Sequence, residues 1–280
     1  MYRTSYHHDL TSDTERMAGF YEAITENAKG TVYDIGAGSG ILSRWAAPYA
    51  DFVYSIEINP KVAENTRSHL ESFKNIEVIC ADARNTNFPK EADLVICEML
   101  DTALIDEEEV PVLNSILENL KPDGKIIPYG VINCVEPVST DIEYIFYDDL
   151  YDTPISQAQS LDHDQRSKFN QKYHVIGELL SYHKIDFKEE LFKKGKIKEN
   201  VDFKLDLRIN KTGTVSGVKL TTFTLLTPKL ICGPTPMMNP PLIIPTNSVK
   251  VEKNDTVQLN FSYTMGGGLE SVESSIKRIP

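Results

Sequence analysis

Short apolar runs alternate with amphipathic stretches over the first 130 residues of the chain. Five runs have the length and the β-branched content of buried strands, and they lie at 31–35, 52–56, 76–80, 94–97 and 125–128. Helix-like apolar spacing occupies the stretches 41–47, 61–72 and 110–120. This alternation is typical of a parallel sheet covered by helices on both faces. The sequence therefore predicts an α/β domain over residues 1–130, with a helical cap at its N-terminus.

The pattern changes after residue 128, where strand-like alternation becomes the rule. Runs at 201–209 and 215–226 flank the turn 210–213 and predict an antiparallel hairpin. Further strand-like runs follow at 242–244, 248–251 and 257–263. We expect a second, β-rich domain over residues 131–280. An insertion at about 141–198 would contain helices at 175–181 and 187–193.

Composition and charge narrow the class of protein. Apolar residues make up 41% and charged residues 25% of the 280 residues, as in an ordinary globular protein. The formal net charge of -12 would repel a phosphate backbone, which makes nucleic acid a disfavoured partner. The N-terminus has no apolar signal core, and no run approaches the roughly 18 apolar residues of a membrane span. We therefore expect a cytoplasmic protein without a membrane partner. The cysteines and histidines lack metal-ligand spacing, so no metal is predicted.

The most informative motif is the glycine-rich stretch at residues 32–43. A buried strand ends near Asp34, and Gly36, Gly38 and Gly40 then follow at alternate positions. Such glycines let the backbone turn tightly and present bare N–H groups at a helix start. The pattern predicts a small ligand here, and a purely structural turn is the alternative.

Acidic residues after the next two strands indicate which ligand this is. Glu57 lies 21 residues after Gly36, where an acid accepts hydrogen bonds from both ribose hydroxyls. A nicotinamide dinucleotide would use the same acid, but it favours the GxGxxG spacing that accommodates a pyrophosphate. The GxGxG spacing and the Asp34 carboxylate, which suits an ammonium group, favour S-adenosylmethionine (SAM). Asp82 is predicted to accept from the adenine amino group, and a solvated loop aspartate is the alternative.

With these motifs, the chain resembles the class I SAM-dependent methyltransferases, and within them the protein arginine methyltransferases. Four stretches carry the resemblance: the glycine motif, residues 5–8 with 13–16, residues 97–107, and the β-rich C-terminal half. It implies a Rossmann-like parallel-sheet domain that binds SAM, followed by a β-rich, barrel-like substrate domain. It also implies a homodimer formed through an arm, and residues 148–171 would be either that arm or a lid.

The resemblance assigns roles to three further residues. Arg16 would pair with the SAM carboxylate, as a cofactor-binding residue beside Asp34, Gly36, Gly38, Glu57 and Asp82. Glu98 and Glu107, nine residues apart, would be the catalytic pair that grips a substrate guanidinium. Glu108 and Glu109 leave the register of the second acid open. The alternative for this stretch is an acidic helix start.

The sequence departs from the family in both parts of its acceptor site. Pro236, Met237 and Met238 stand where the family has Thr-His-Trp, and these methionines would either line an apolar pocket or fill the core. In the double-glutamate loop, Met99, Asp101 and Thr102 replace tryptophan, glycine and tyrosine. The hypothesis is therefore a SAM-dependent methyltransferase that N-methylates a protein side chain. Its rivals are a small-molecule, an RNA or another protein side-chain acceptor, and a non-catalytic SAM-binding interaction protein.

Overall fold

The first half of the chain forms a five-stranded, fully parallel sheet. In the computed structural model, the described residues are 10, 12–86, 88–148 and 172–279. The sheet has the order β3-β2-β1-β4-β5. Its strands are β1 Thr31–Ile35, β2 Phe52–Glu57, β3 Ile76–Cys80, β4 Ala92–Cys97 and β5 Leu120–Ile127. All five strands predicted from the apolar runs are present.

Within the described residues, four α-helices of six residues or more accompany this sheet, and local signals fix where two of them begin. The helices are α1 Thr14–Asn27, α2 Ile41–Ala46, α3 Pro60–Leu70 and α4 Glu109–Ile116. Asp13 caps α1 by accepting from Arg16 N–H at 3.2 Å. Asn59 caps α3, and Pro60 occupies the first turn, where its missing N–H is not needed.

Alternate residues of the parallel strands enter two different cores. Val32, Val53 and Leu94 pack with Phe20 of α1 on one face. Tyr33, Ile56 and Val95 face the other side and share a core with residues of the C-terminal half. Because both faces are covered, the strands consist of nearly continuous apolar residues.

The C-terminal half is antiparallel and built from two sheets. Its strands are β6 Gly130–Thr140, β7 Phe146–Tyr147, β8 Tyr173–Val175, β9 Leu180–Asp186, β10 Asn200–Arg208, β11 Gly213–Thr227, β12 Leu230–Cys232, β13 Leu242–Val251, β14 Thr256–Thr264 and β15 Glu273–Ile279. One sheet has the path β7-β13-β11-β6-β8, with β12 beside β11 and β9 beside β6, and the other has the order β10-β14-β15. The Asn247 side chain joins the sheets by bonding both backbone groups of Ile276. The fold is thus a Rossmann-like domain followed by a β-rich domain, as predicted.

Two local predictions are wrong. Strands β10 and β11 do not pair as a hairpin, because β10 pairs with β14 while β11 lies between β6 and β13. The predicted helix at 175–181 is replaced by the end of β8 and the start of β9. Gly177 lies there in tight contact with Pro137 and the Arg208 carbonyl, so tertiary packing overrides helix propensity. The second helix is present as α5, Phe187–Lys194.

Two predicted features lie at least partly outside the described residues. The N-terminal stretch 5–8 is wholly outside, and so is nearly all of the arm or lid at 148–171. Among the residues that are described, no helix is long and apolar enough to cross a membrane. The predicted domain division at residue 130 stays a prediction, although parallel pairing gives way to antiparallel pairing between Ile127 and Gly130.

Candidate active site

The glycine-rich loop joins β1 to α2 in a backbone conformation that needs glycine. Gly36, Gly38 and Gly40 have φ values of 70°, 53° and 76°, all in the left-handed region. The loop is held from behind by a hydrogen bond from Ala37 N–H to the Ile56 carbonyl at 2.9 Å. Gly36 remains exposed. A bare segment of backbone is therefore available to a ligand.

Glu57 stands at the end of β2, beside this loop. Its Oε2 accepts from Gly38 N–H at 3.1 Å, and its Oε1 accepts from Asn59 N–H at 2.8 Å. The residue is 8% exposed. These bonds fix the carboxylate against the glycine loop, where the sequence predicted a ribose-binding acid.

A cavity of about 250 Å³ opens over the loop and collects most of the predicted site. Arg16, Gly36, Gly38, Glu57, Glu98 and Glu107 all line it, although they come from five segments of the chain. Met99 and Met237, which the sequence marked as departures from the family, also line it, and the wall is completed by residues that the sequence did not single out: Leu10, Ala37, Ser39, Ile41, Leu42 and Leu100. Parallel strands bring their C-terminal ends to one edge of a sheet, and this explains the convergence.

Two predicted residues lie away from the cavity wall. Asp34 is 1% exposed, and its Oδ2 accepts from the Ser43 N–H at 2.8 Å and the Ser43 hydroxyl at 2.6 Å. Burial raises its pKa to about 6. Asp82 accepts hydrogen bonds from the backbone and guanidinium of Arg84, which lower its pKa. In this structure Asp34 braces the glycine loop, and Asp82 caps the short helix Ala83–Asn85.

Arg16 and Glu98 form a two-point ion pair inside the cavity. Arg16 Nε donates to Glu98 Oε1 at 3.3 Å, and a terminal guanidinium nitrogen donates to Oε2. Their side chains are 5% and 15% exposed. Bidentate pairs of this kind fix geometry as well as charge. The predicted cofactor residue is thus bonded to a predicted catalytic acid.

The three consecutive glutamates occupy three different environments. Glu107 is exposed at the wall of the cavity, and partial desolvation together with the charge of Glu98 raises its pKa. Glu108 is exposed and pairs with Arg84 at 2.9 Å. Glu109 is fully buried and accepts from Met99 N–H at 3.1 Å. Of the three, Glu107 alone lines the cavity, and its role as the second acid stays a prediction.

The two methionines at the Thr-His-Trp position have separate roles. Met237 lines the cavity, while Met238 is 1% exposed and packs in the core beneath α1. Both readings of these methionines are therefore correct, each for one residue. Asp13 Oδ2 accepts from Met237 N–H at 3.2 Å, which ties this turn to the start of α1.

These residues fit an adenosyl amino acid. A cation, Arg16, suits a carboxylate at one part of the cavity, and an acid, Glu57, suits hydroxyl donors at another. Even a single added carbon at Gly36 would come within 3.0 Å of Met99 Sδ. The bare loop therefore leaves space that a side chain would take. Among the described residues, no group of acids, histidines or cysteines is placed to hold a metal ion.

Comparison with known proteins identifies the type of domain in the first half of the chain. A family model described as a methyltransferase domain matches residues 32–124, which include the glycine loop, Glu57, Glu98 and Glu107. The chain contains a class I SAM-dependent methyltransferase domain. This methyltransferase is 42% identical to an uncharacterized protein of Methanothermobacter thermautotrophicus over 98% of both chains.

Its arginine-methyltransferase-like character appears in both sequence and structure. The chain is 30% identical to the protein arginine N-methyltransferase PRMT10 of Arabidopsis thaliana over 50% of its own length and 39% of that protein. The PRMT1 enzyme-prozyme heterotetrameric complex of Trypanosoma brucei with AdoHcy has the same fold. That comparison has a TM-score of 0.69 and 16% identity, and it covers 99% of this chain and 100% of the other.

Proposed function

We propose that this methyltransferase N-methylates a cationic protein side chain, with arginine as the first candidate. The observation that carries the proposal is that Glu98 and Glu107 line the same cavity as the glycine loop. Two carboxylates in one cavity repel each other, and burial together with the charge of Glu98 raises the pKa of Glu107. A bound cation would relieve this repulsion, so the pair suits a guanidinium or an ammonium group.

Each residue of the proposed cofactor site would have one task. Arg16 would hold the carboxylate of the cofactor, and Glu57 would hold its ribose hydroxyls. The backbone around Gly36 and Gly38 would lie alongside the bound cofactor. Asp34 would act from behind the loop through Ser43. SAM supplies an electrophilic methyl group on a sulfonium when it is bound. Asp82 would accept a hydrogen bond from the adenine amino group. In the structure its carboxylate pairs with Arg84.

The two acids of the proposed acceptor site would orient the group that is methylated. Glu98 and Glu107 would hold the cationic group from two sides and aim one nitrogen at the methyl carbon, and such positioning can supply a large share of the rate. In the transfer that bound SAM would supply, the acceptor nitrogen would gain the methyl group, S-adenosylhomocysteine would leave, and the nitrogen would release a proton. Glu107 would take that proton, because burial and the neighbouring carboxylates raise the pKa of its carboxyl group.

Met237 favours a second candidate, a small-molecule acceptor. An apolar side chain lines the cavity where the resembling family carries polar and aromatic residues. A hydrophobic wall of this kind suits an acceptor with an alkyl part beside its nitrogen. The two candidates share Glu98 and Glu107 and differ in what surrounds the reacting group.

Transfer of label from methyl-labelled SAM tests the proposal. Purified protein is incubated with an arginine-containing peptide, the same peptide with lysine in place of arginine, free arginine, and total RNA. Label entering the arginine peptide with several-fold preference supports the proposal. Label confined to free arginine supports the small-molecule candidate. Label in RNA, or in none of the cationic acceptors, contradicts both.

Self-association is also part of the proposal. The T. brucei neighbour is a heterotetrameric complex. In this chain Tyr21 and Tyr49 are 50% and 51% exposed, and Tyr21 contacts Trp45 edge-on at 5.4 Å between ring centroids. Exposed aromatic side chains are enriched at protein interfaces. Light scattering should give twice the chain mass of 31.5 kDa, and a single-chain mass would contradict the proposal.

A further inference from the structure

Asp101 lies inside the loop that carries the two acceptor acids, and none of the roles above includes it. The residue is 7% exposed. Its Oδ2 accepts from the backbone N–H groups of Ile105 at 3.1 Å and Asp106 at 2.9 Å. Its Oδ1 accepts from Glu107 N–H at 3.2 Å. One buried carboxylate therefore organises three consecutive peptide groups that end at Glu107.

The backbone that Asp101 closes is strained. Ala103 and Leu104 both have φ values of 62°, which non-glycine residues rarely adopt. Such conformations persist only where surrounding contacts hold them. The Leu104 N–H donates to the Asp101 carbonyl at 3.1 Å, so Asp101 holds the turn through its backbone as well as its side chain.

The middle of the loop is fixed separately to the C-terminal half. Ala103 N–H donates to Thr222 Oγ1 at 2.8 Å, and Thr102 Oγ1 donates to the Pro240 carbonyl at 2.6 Å. These bonds hold residues 102 and 103. The contact to Glu107 N–H is made by Asp101, at the end of the loop that faces the cavity.

We infer that Asp101 is a positioning residue for the methyl acceptor, acting through Glu107. By accepting from the Glu107 N–H, it sets where that carboxylate stands opposite Glu98. Asp101 does not line the cavity, so it has no contact with the acceptor of its own. The inference rests on the proposed function, because it assumes that Glu107 binds the acceptor.

A double-mutant cycle tests whether Asp101 acts through Glu107. Asp101→Asn keeps the shape of the side chain but replaces one accepting oxygen with an N–H2 group, which cannot accept from the loop. The variants are Asp101→Asn, Glu107→Gln and their combination, measured for kcat and KM with the arginine peptide. S-adenosylhomocysteine affinity is measured alongside. Asp106→Asn, an exposed acid on the same loop, is the matched control.

The expected result is a coupled loss. Asp101→Asn alone should lower kcat/KM for the acceptor at least about tenfold and leave S-adenosylhomocysteine affinity within about twofold. In the Glu107→Gln background the same substitution should cost less than about twofold, because residues that act as a unit are not additive. An equal loss in both backgrounds would overturn the inference.

A variant that does not fold and a wild type that is inactive are distinguished as follows. If Asp101→Asn does not fold, Asp101→Ser, whose hydroxyl still accepts one backbone N–H, enters the same cycle. If that variant also fails to bind S-adenosylhomocysteine, Asp101 is a folding requirement and the inference is overturned. A wild-type protein that methylates no cationic acceptor contradicts the proposed function itself. An active wild type with an additive cycle contradicts only the role of Asp101.

Discussion

Arg16 bonds both carboxylate oxygens of Glu98, although 82 positions separate them in the chain. Arg16 belongs to the proposed cofactor site, and Glu98 belongs to the proposed acceptor site. A ligand carboxylate that attracts the guanidinium would loosen its hold on Glu98, and an acceptor cation on Glu98 would loosen its hold on Arg16. Such coupling is reciprocal by thermodynamic necessity, so each ligand would change the affinity of the other by the same factor.

Replacing Arg16 should weaken cofactor binding and change acceptor binding. Arg16→Ala leaves Glu98 in the cavity without its paired cation, and breaking a buried pair typically costs about 3–5 kcal/mol. We expect S-adenosylhomocysteine affinity to fall at least about tenfold in calorimetry, with a changed KM for the acceptor because Glu98 loses the guanidinium that holds it. Arg67→Ala, which breaks an exposed pair with Glu64, is the control and should change neither value. Unchanged affinity in Arg16→Ala would remove Arg16 from the cofactor site.

The two acceptor acids should differ in what their loss affects. Glu107→Gln should lower kcat/KM for the acceptor at least about a hundredfold with S-adenosylhomocysteine affinity preserved, because its carboxylate would touch only the acceptor. Glu98→Gln should lower activity and also change cofactor affinity, because Arg16 loses its charged partner. Glu108→Gln is the control, since Glu108 is exposed and pairs with Arg84. A Glu108→Gln loss as large as that of Glu107→Gln would shift the register by one residue.

A methyl group at Gly36 should weaken cofactor binding. Gly36→Ala places a Cβ 3.0 Å from Met99 Sδ, and it forces alanine to a φ of 70°, which costs about 1–2 kcal/mol. Calorimetry should show S-adenosylhomocysteine binding reduced at least about tenfold. Gly213→Ala is the control, because an added Cβ there meets nothing within 4 Å. Equal affinity in the two variants would argue that no ligand lies against Gly36.

Glu109 should make stability depend on pH in a defined direction. Burial raises its pKa from 4.5 to about 8, so between these values the folded protein holds a proton that the unfolded chain has released. The free energy of unfolding therefore falls as pH rises through this window, by at most about 1.4 kcal/mol per pH unit from this one group. Asp34 and Asp101, raised to about 6 and about 7, add slopes of the same sign.

Glu109→Gln isolates this contribution. The glutamine carbonyl can still accept from Met99 N–H, but the side chain does not ionise. In denaturant titrations from pH 5 to pH 8, the wild type should lose stability relative to Glu109→Gln. Glu118→Gln, at an exposed acid just beyond α4, should run parallel to the wild type. A constant difference between wild type and Glu109→Gln would show that Glu109 does not titrate in this range.

The hydroxyl of Thr222 should matter for folding because it bridges the two halves. It accepts from Ala103 N–H and donates to Asn133 Oδ1, both at 2.8 Å. Thr222→Val keeps the shape but leaves both groups buried without this partner, so the free energy of unfolding should fall by about 2 kcal/mol or more. Thr214→Val, at a partly exposed position near the start of β11, should change it by less than about 0.5 kcal/mol. Equal values would contradict the bridge.

The sequence predicts this fold well for strands that are buried on both faces. The strands of the parallel sheet are continuous apolar runs because helices or strands cover both faces, and each run matches an observed strand. The predictions fail where pairing is decided at long range. Nothing between residues 201 and 226 indicates that β10 pairs with β14 instead of β11, and nothing near Gly177 shows that Pro137 packs against it.

The candidate site also contains some residues that the sequence predicts and others that it does not. Gly36, Gly38 and Glu57 are predictable, because their conformation and spacing are local properties of a β-turn-helix unit. Asp101 and Glu109 are not, since each acts on backbone N–H groups that only the folded loop brings within reach. The sequence places Asp34 at the end of a buried strand, while its predicted role toward the cofactor stays a prediction. Its direct partner, Ser43, is visible only in the structure.

The loop between β4 and α4 is anchored outside the domain that encodes it. Thr222 and Pro240 bind its middle, and Gly266 and Gly268 donate to the carbonyls of Leu104 and Ile105. A chimera that joins residues 1–130 to an unrelated C-terminal half would thus keep the glycine loop and Glu57 but lose the bonds that fix the loop of Glu98 and Glu107. Changes in acceptor preference can therefore arise in the second half of the gene, far from any residue that touches the reacting atoms.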